Sequence, residues 1–454
     1  MSLVPALLLA SLTPAAEVPT EEPDAVSYWR EVRPLLTARC AGCHQPAKPK
    51  GRLDVTTQAA LLAADGVIAA GVPADSLLLE VVTSEDGDPP SMPPDGPALT
   101  EDEVALLESW IAGGAPDDTP EGLASGGAPD VYERLPVITD VDVSSDGARF
   151  AVAGSGEVLV HRYDGGLEAR FAGLSERVEG LAFSPDGARL AVIGGSPARF
   201  GEVQVWNVEK GELALSKQVT FDTLRGVSWS PDGTRVAFGG ADRSLRAIDA
   251  ATGEEVLFQG SHEDWVLDTT WSTDASHLIS VSRDRSMKLV KVSTSQFIDN
   301  ITSITPGALK GGLAAVARHP ARDELLAAGA DGVPRLYRMY REKKRVIGDD
   351  YNLIEAYAGL PGRLYDVRWL PGTDAFVTSS SHEGQGHVRR YTIGTKEPAW
   401  TYEADGGIYA VAVHPAGDRV LCAGQSGLVV ELDATTGETL REVVPVPMPE
   451  DSSR

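Results

Sequence analysis

Seven copies of one turn punctuate the last two-thirds of this 454-residue chain and leave few architectures open to it. A Ser-x-Asp-Gly turn, or a relic of one, recurs after a short apolar run. The members are Ser144-Ser145-Asp146-Gly147, Ser184-Pro185-Asp186-Gly187, Ser230-Pro231-Asp232-Gly233 and Ser272-Thr273-Asp274, the last without the glycine. Weaker members follow at His319-Pro320-Ala321-Arg322, Leu370-Pro371-Gly372-Thr373 and His414-Pro415-Ala416-Gly417. Their spacing of about 40–52 residues is close to the ~40–45 residues of a propeller blade. Behind each turn come an apolar strand, an alternating strand such as Val203-Gln204-Val205-Trp206, and often a Gly-Glu turn (Gly211-Glu212, Gly253-Glu254, Gly437-Glu438) into an outer strand. Four strands in each of seven units predict an all-β, seven-bladed propeller over 137–446, closed radially so that each blade keeps only short, protected edges.

The rest of the chain is of a different kind. Residues 1–16 carry an apolar run from Leu3 to Leu12, then the small Ala15 and Ala16, then acidic, Pro-rich chain. That order predicts a secretory signal, although its start has no Lys or Arg, and hence a periplasmic or otherwise extracytoplasmic protein. The run is shorter than the ~20 residues a bilayer-spanning helix needs, so no transmembrane segment is expected. A Gly/Pro/Asp-rich stretch over 113–136 is too polar to bury itself and predicts a linker. Between these lies a small domain, 17–112, expected to be all-α; residues 447–454 form a tail. The net charge of −26 argues against nucleic-acid partners and anionic lipid surfaces. The acidity is uneven, with a net −15 between Glu17 and Asp130 and all six bases of that stretch between Arg30 and Arg52.

Those bases surround Cys40-Ala41-Gly42-Cys43-His44, a C-x-x-C-H pentapeptide that holds two of the three cysteines. Two thiols three apart on a helical turn can both add to the vinyl groups of a haem, leaving the adjacent His44 to face the iron. Structural zinc needs two more N or S ligands, yet His44 is the only histidine in the first 160 residues. A thioredoxin-type pair needs a βαβ setting that the sequence does not offer. The reading is one covalent haem c, held by Cys40 and Cys43 with His44 as proximal ligand. For the sixth position this domain has one methionine and no second histidine. Met92, in Ser91-Met92-Pro93-Pro94-Asp95, sits in a loop stiffened by proline and is the expected distal ligand. Trp29, Val32 and Leu36 predict one helix face before the motif. Thr100-Glu101-Asp102-Glu103 predicts a capping box that opens a last helix, with Val104, Leu107, Trp110 and Ile111 inward.

The run VRPLL, CAGCH, GRLDV, AGVPADSLLLEVV, SMPPDG and ESWIAGGAP resembles the planctomycete-type cytochrome c domain across nearly all of 27–116. The resemblance implies haem c at Cys40, Cys43, His44 and Met92, often beside WD repeats in exported proteins. The repeat array in turn resembles WD-repeat proteins, with Trp206-Asn207, Ile248-Asp249 and Leu432-Asp433 where that family has Trp-Asp. In blade four, His262 with nearby Ser and Asp (Ser282-Arg283-Asp284) is implied to be a structural hydrogen-bond set.

Other candidates in the propeller are weaker. His382-Glu383-Gly384-Gln385-Gly386-His387 has its second histidine one place late for H-E-x-x-H and two glycines against a helix; a long loop is expected, matched by 194–201 in blade two. Cys422 reads as a buried, inert thiol. Arg338, Arg341, Lys343, Lys344 and Arg345 form a basic run, either a solvated hairpin or a dock for the acidic cytochrome domain or another acidic partner. The leading expectation is an electron carrier with no substrate pocket of its own, whose propeller docks redox partner proteins. The alternatives are a redox enzyme with a further centre on the propeller and a haem-based sensor or scaffold.

Overall fold

The computed structural model describes residues 26–45, 48–84, 88–94, 97–119, 129–305 and 307–449. The expected signal segment, the middle of the expected linker and the end of the tail lie outside the described residues. The chain divides into two compact units: 1–32 with 66–119, and 33–65 with 120–454.

The first unit is built from short helices. Its longest, Glu101–Ala112, opens on the expected capping box: Thr100 Oγ1 accepts from the Glu103 N–H at 3.2 Å, and Glu103 accepts from the Thr100 N–H at 2.8 Å. Leu107, Trp110 and Ile111 turn inward, and the Tyr28 ring stacks on Trp110 at 5.5 Å. The buried side chains of the π-helical turn Tyr28–Val32 are therefore Tyr28 and Val32, not the expected Trp29. Val32 runs directly into the helix Arg33–Arg39 of the second unit, where Pro34 sits in the first turn and needs no backbone donor. A two-residue ladder, His44–Gln45 against Lys48–Pro49, adds a trace of β structure to a region expected to be all-α.

The second unit contains seven four-stranded antiparallel meanders, spanning 141–171, 177–220, 224–259, 266–300, 313–356, 363–405 and 408–443. The first strands of successive sheets pack against one another around a common axis, so the sheets are the blades of a propeller. Second and third strands are buried on both faces, which is why runs such as Arg235–Gly240 (RVAFGG) read as continuously apolar. Among the described residues, seven apolar clusters are found, one between each pair of neighbouring blades.

The repeated turn has a clear physical basis. Ser144 Oγ donates to Asp146 at 2.6 Å and accepts from the Arg149 N–H at 2.9 Å, while Gly147 takes a φ of +70°. Ser184, Ser230 and Ser272 repeat the pattern with Asp186, Asp232 and Asp274. In two of the three relics imidazole replaces the Ser–Asp pair: Nδ1 of His319 and of His414 accepts the N–H two residues on, at 3.1 and 3.2 Å.

Blades are also clasped to one another by residues that the sequence did not single out. An inner-strand aspartate accepts a backbone N–H from the next blade at Asp140–Leu181, Asp142–Phe183, Asp268–Val316 and Asp366–Val411, at 2.8–3.0 Å. Tryptophans at inner-strand ends donate backwards, Trp229 to Ala182 and Trp271 to Ser228. Among the described residues no strand is exchanged between the last blade and the first. The ring is joined instead by side chains and by the strap leading into blade one: Glu431 of blade seven accepts from Tyr163 of blade one at 3.1 Å, the Ile138 N–H of the strap donates to the Gly424 carbonyl of blade seven at 3.0 Å, and Tyr132 enters the apolar seam.

Candidate functional site

The C-x-x-C-H pentapeptide forms the turn that ends the Arg33–Arg39 helix. The Cys40 N–H still bonds Leu36, and the Cys40 carbonyl accepts from the N–H groups of both Cys43 and His44 at 3.1 Å. This winding brings Cys40, Cys43 and His44 together on one turn, with all three side chains half-buried. Gly42 is small for a reason of packing, since a Cβ there would stand 3.3 Å from the Ser216 carbonyl oxygen of blade two. Within this unit Thr37 also accepts from Gln218 at 2.8 Å, and Lys48 donates to Ala214 at 3.3 Å.

The decisive bond is one that motif reading missed. His44 Nδ1 lies 2.7 Å from the Lys50 carbonyl, to which it donates. An imidazole so tied keeps Nε2 as its free lone pair and holds the ring orientation, the arrangement a metal-ligating histidine needs. Gly51, at φ +66°, makes the turn that carries this carbonyl back toward the ring; the Lys50-Gly51 pair was the only trace of it in the sequence.

Met92 belongs to the first unit. Its N–H donates to the Val81 carbonyl at 2.9 Å, which fastens the loop to the end of the Leu77–Val82 helix, and its side chain is half-buried. Among the described residues no group of three or more His, Cys, Asp or Glu side chains is gathered to hold a bare metal ion.

The propeller's histidines are distributed, and most are bonded where they stand, although Nδ1 of His387 is buried without a hydrogen-bond partner among the described residues. His262 Nδ1 meets Asp284 at 2.8 Å and Nε2 meets Ser280 at 2.8 Å, a buried set whose hydroxyl comes from Ser280 in place of Ser282. Burial lowers the His262 pKa, and Asp284 is held well below the carboxylate range despite its burial by its bond to that ring. His161 reaches the Pro445 carbonyl at 2.9 Å. His382 and His387 lie on a β-hairpin, Ala375–His382 against Gln385–Thr392, with Glu383-Gly384 as its turn. The expected long loop is thus strand almost to its tip, and 194–201 in blade two behaves alike, with Ser196 paired to Phe200. The glycines that oppose a helix also allow close strand approach: a Cβ at Gly386 would stand 2.4 Å from the Gly406 carbonyl oxygen.

Cys422 is buried in blade seven, and burial pushes its thiol up to about 12. The basic run is in part consumed locally. Arg341 pairs with Asp349 at 2.7 Å and Arg345 with Asp299 at 2.8 Å, which leaves Arg338, Lys343 and Lys344 as the cations of that run without a carboxylate partner among the described residues.

Comparison with known proteins agrees with both parts of this geometry. Residues 40–96 match the family model described as Planctomycete cytochrome C, and residues 217–249 and 253–290 match WD domain, G-beta repeat. One segment of the chain is thus similar to planctomycete cytochrome c, and two stretches of its seven-bladed propeller are similar to WD repeats. An uncharacterized WD repeat-containing protein of Synechocystis sp. is 30% identical over 110 residues, which is 24% of this chain and 31% of that protein. The chain therefore matches less than a third of that curated relative's length. A cytochrome c segment points to haem-based electron transfer and a WD-repeat propeller to protein interaction. The residues present fit a haem: two thiols on one turn, and beside them an imidazole whose Nδ1 is already engaged. When bound, that group supplies one-electron redox chemistry. Among the described residues, no helix is long and apolar enough to cross a membrane.

Proposed function

We propose that the protein is an exported electron carrier in which Cys40 and Cys43 hold one haem covalently, His44 and Met92 supply the axial ligands, and the propeller docks a redox partner protein. The observation that carries this reading is the His44–Lys50 bond within a C-x-x-C-H turn. It sets the tautomer and orientation of the imidazole through the chain's own backbone. The Met92 loop contributes a thioether between its anchor on Val81 and two prolines, and His/Met ligation favours a raised reduction potential. The small Gly42 beside Ser216 and the Thr37–Gln218 bond support blade two as the rest for the 33–65 segment, in place of the basic run 338–345. Residues 17–112 as the haem-carrying part, and an extracytoplasmic location, belong to the same proposal.

The test is expression in a host with haem c maturation, followed by intact mass and pyridine haemochrome analysis. One haem per chain, lost in Cys40→Ala/Cys43→Ala, is the expected result. Met92→Ala is expected to keep the haem but change the oxidised spectrum and lower the potential. Protein without attached haem sinks the proposal, and an unaltered potential in Met92→Ala sinks its distal-ligand part.

A further inference from the structure

The first strands of the blades converge on one mouth of the propeller's central channel, and the side chains gathered there do not follow the repeat. A cavity of about 410 Å³ opens between them, a volume typical of small-ligand sites. Its wall draws on every blade, with Thr139 at the entry to blade one, Glu179 from blade two, Arg225 from three, Trp265 and Arg283 from four, Ala314 from five, and Arg363 from six beside Tyr409 from seven.

Three guanidinium groups here face one carboxylate, in a chain whose net charge is −26. Glu179, with 6% of its side chain exposed, engages Arg225 at 3.1 Å. Arg283 holds a looser, exposed pair with Asp264 at 3.4 Å. Arg363 has no carboxylate partner among the described residues, and its Nε is buried without a hydrogen-bond acceptor, as is Nε of Arg225. Each guanidinium lies over a ring: Arg283 and Arg225 over Trp265 at 4.8 and 5.7 Å, and Arg363 over Tyr365 at 5.5 Å. A stacked guanidinium keeps its in-plane N–H donors for an oxyanion, in the fork geometry that matches carboxylate or phosphate. Tyr365 and Tyr409, 4.9 Å apart, add two hydroxyls with no hydrogen bond among the described residues.

We propose that this channel mouth is a binding site for a small multivalent oxyanion, carboxylate or phosphate, gripped by Arg363, Arg225 and Arg283, with Glu179 as the internal carboxylate that such a ligand competes against. The site is independent of the haem proposal. Solvated arginines at a surface would be the plain alternative, but these three come from three different blades to line one cavity in which Glu179 is the one lining carboxylate among the described residues.

The test is isothermal titration of the full chain with citrate, with inorganic pyrophosphate and with a glutamate-rich hexapeptide, at low ionic strength. Saturable 1:1 binding of a small anion is expected, citrate marking a carboxylate site and pyrophosphate a phosphate site. Arg363→Gln, which breaks no ion pair, is expected to weaken it about tenfold. Glu179→Gln is expected to tighten it by releasing Arg225. The proposal is overturned if neither small anion binds, if only the peptide binds, or if both variants bind as the parent does.

Discussion

Replacing Asp366 is the sharpest test of how the blades are held around the axis. One oxygen of its carboxylate takes the Val411 N–H of the next blade at 3.0 Å. The other takes the Val367 N–H at 2.7 Å and Arg368 at 2.8 Å. Asp366→Ala strands the Val411 N–H, and Val411 is fully buried, so the orphaned donor costs ~1–3 kcal/mol. Loss of the Arg368 pair adds little. Arg368 is a third exposed, which screens the pair, and burial of this cation is outweighed by Asp366 together with Asp140, Asp268 and Asp142. Relief of repulsion among those carboxylates offsets part of the loss, leaving a net ~1–2 kcal/mol, or about 2–4 °C in the melting temperature of a domain this large. Asp366→Asn keeps an acceptor for Val411 and should cost ~1 kcal/mol or less. Differential scanning calorimetry of the full chain at pH 7 measures both. A fall below about 1 °C for Asp366→Ala, or equal losses for the two variants, would refute the clasp.

The same axis predicts a pH dependence. Burial raises Asp140 to about 8, Asp268 to about 7 and Asp142 to about 6. A carboxylate whose folded pKa is raised binds its proton more tightly when folded, so its stabilising effect is full below the unfolded value near 4 and disappears as pH climbs through 6–8. Melting temperature is therefore expected to fall between pH 5 and pH 8, with a flatter profile in Asp140→Asn; a rise over that window contradicts the assignment. Trp229→Phe removes the 2.9 Å bond to Ala182 and should cost ~1–2 kcal/mol in denaturant titrations, more than Trp271→Phe, whose bond to Ser228 measures 3.3 Å. Cys422 should resist iodoacetamide at pH 8 until the propeller unfolds, as peptide mass mapping would show; rapid labelling of native protein would contradict its burial.

Legibility of the chain follows the range of the interactions. Cys40, Cys43 and His44 could be read directly because covalent attachment depends on neighbours along one turn, and the Thr100–Glu103 capping box is equally local. The blade number was legible because Ser144, Asp146 and Gly147 satisfy one another within four residues, and blade after blade repeats the solution. The hairpin at His382 was misjudged as a loop because a glycine-rich run reads as turn until its partner strand is known.

The sequence by itself determined that a haem-type turn precedes a seven-fold β array, since both are written in short-range chemistry that needs no distant partner. Only the tertiary structure decided that the Lys50 carbonyl orients His44, that Asp366 clasps Val411, and that Arg225, Arg283 and Arg363 meet across the channel. Those groups lie on different turns or blades, and what brings them within reach is the closure of the ring and the fold-back of the chain, which no local pattern encodes.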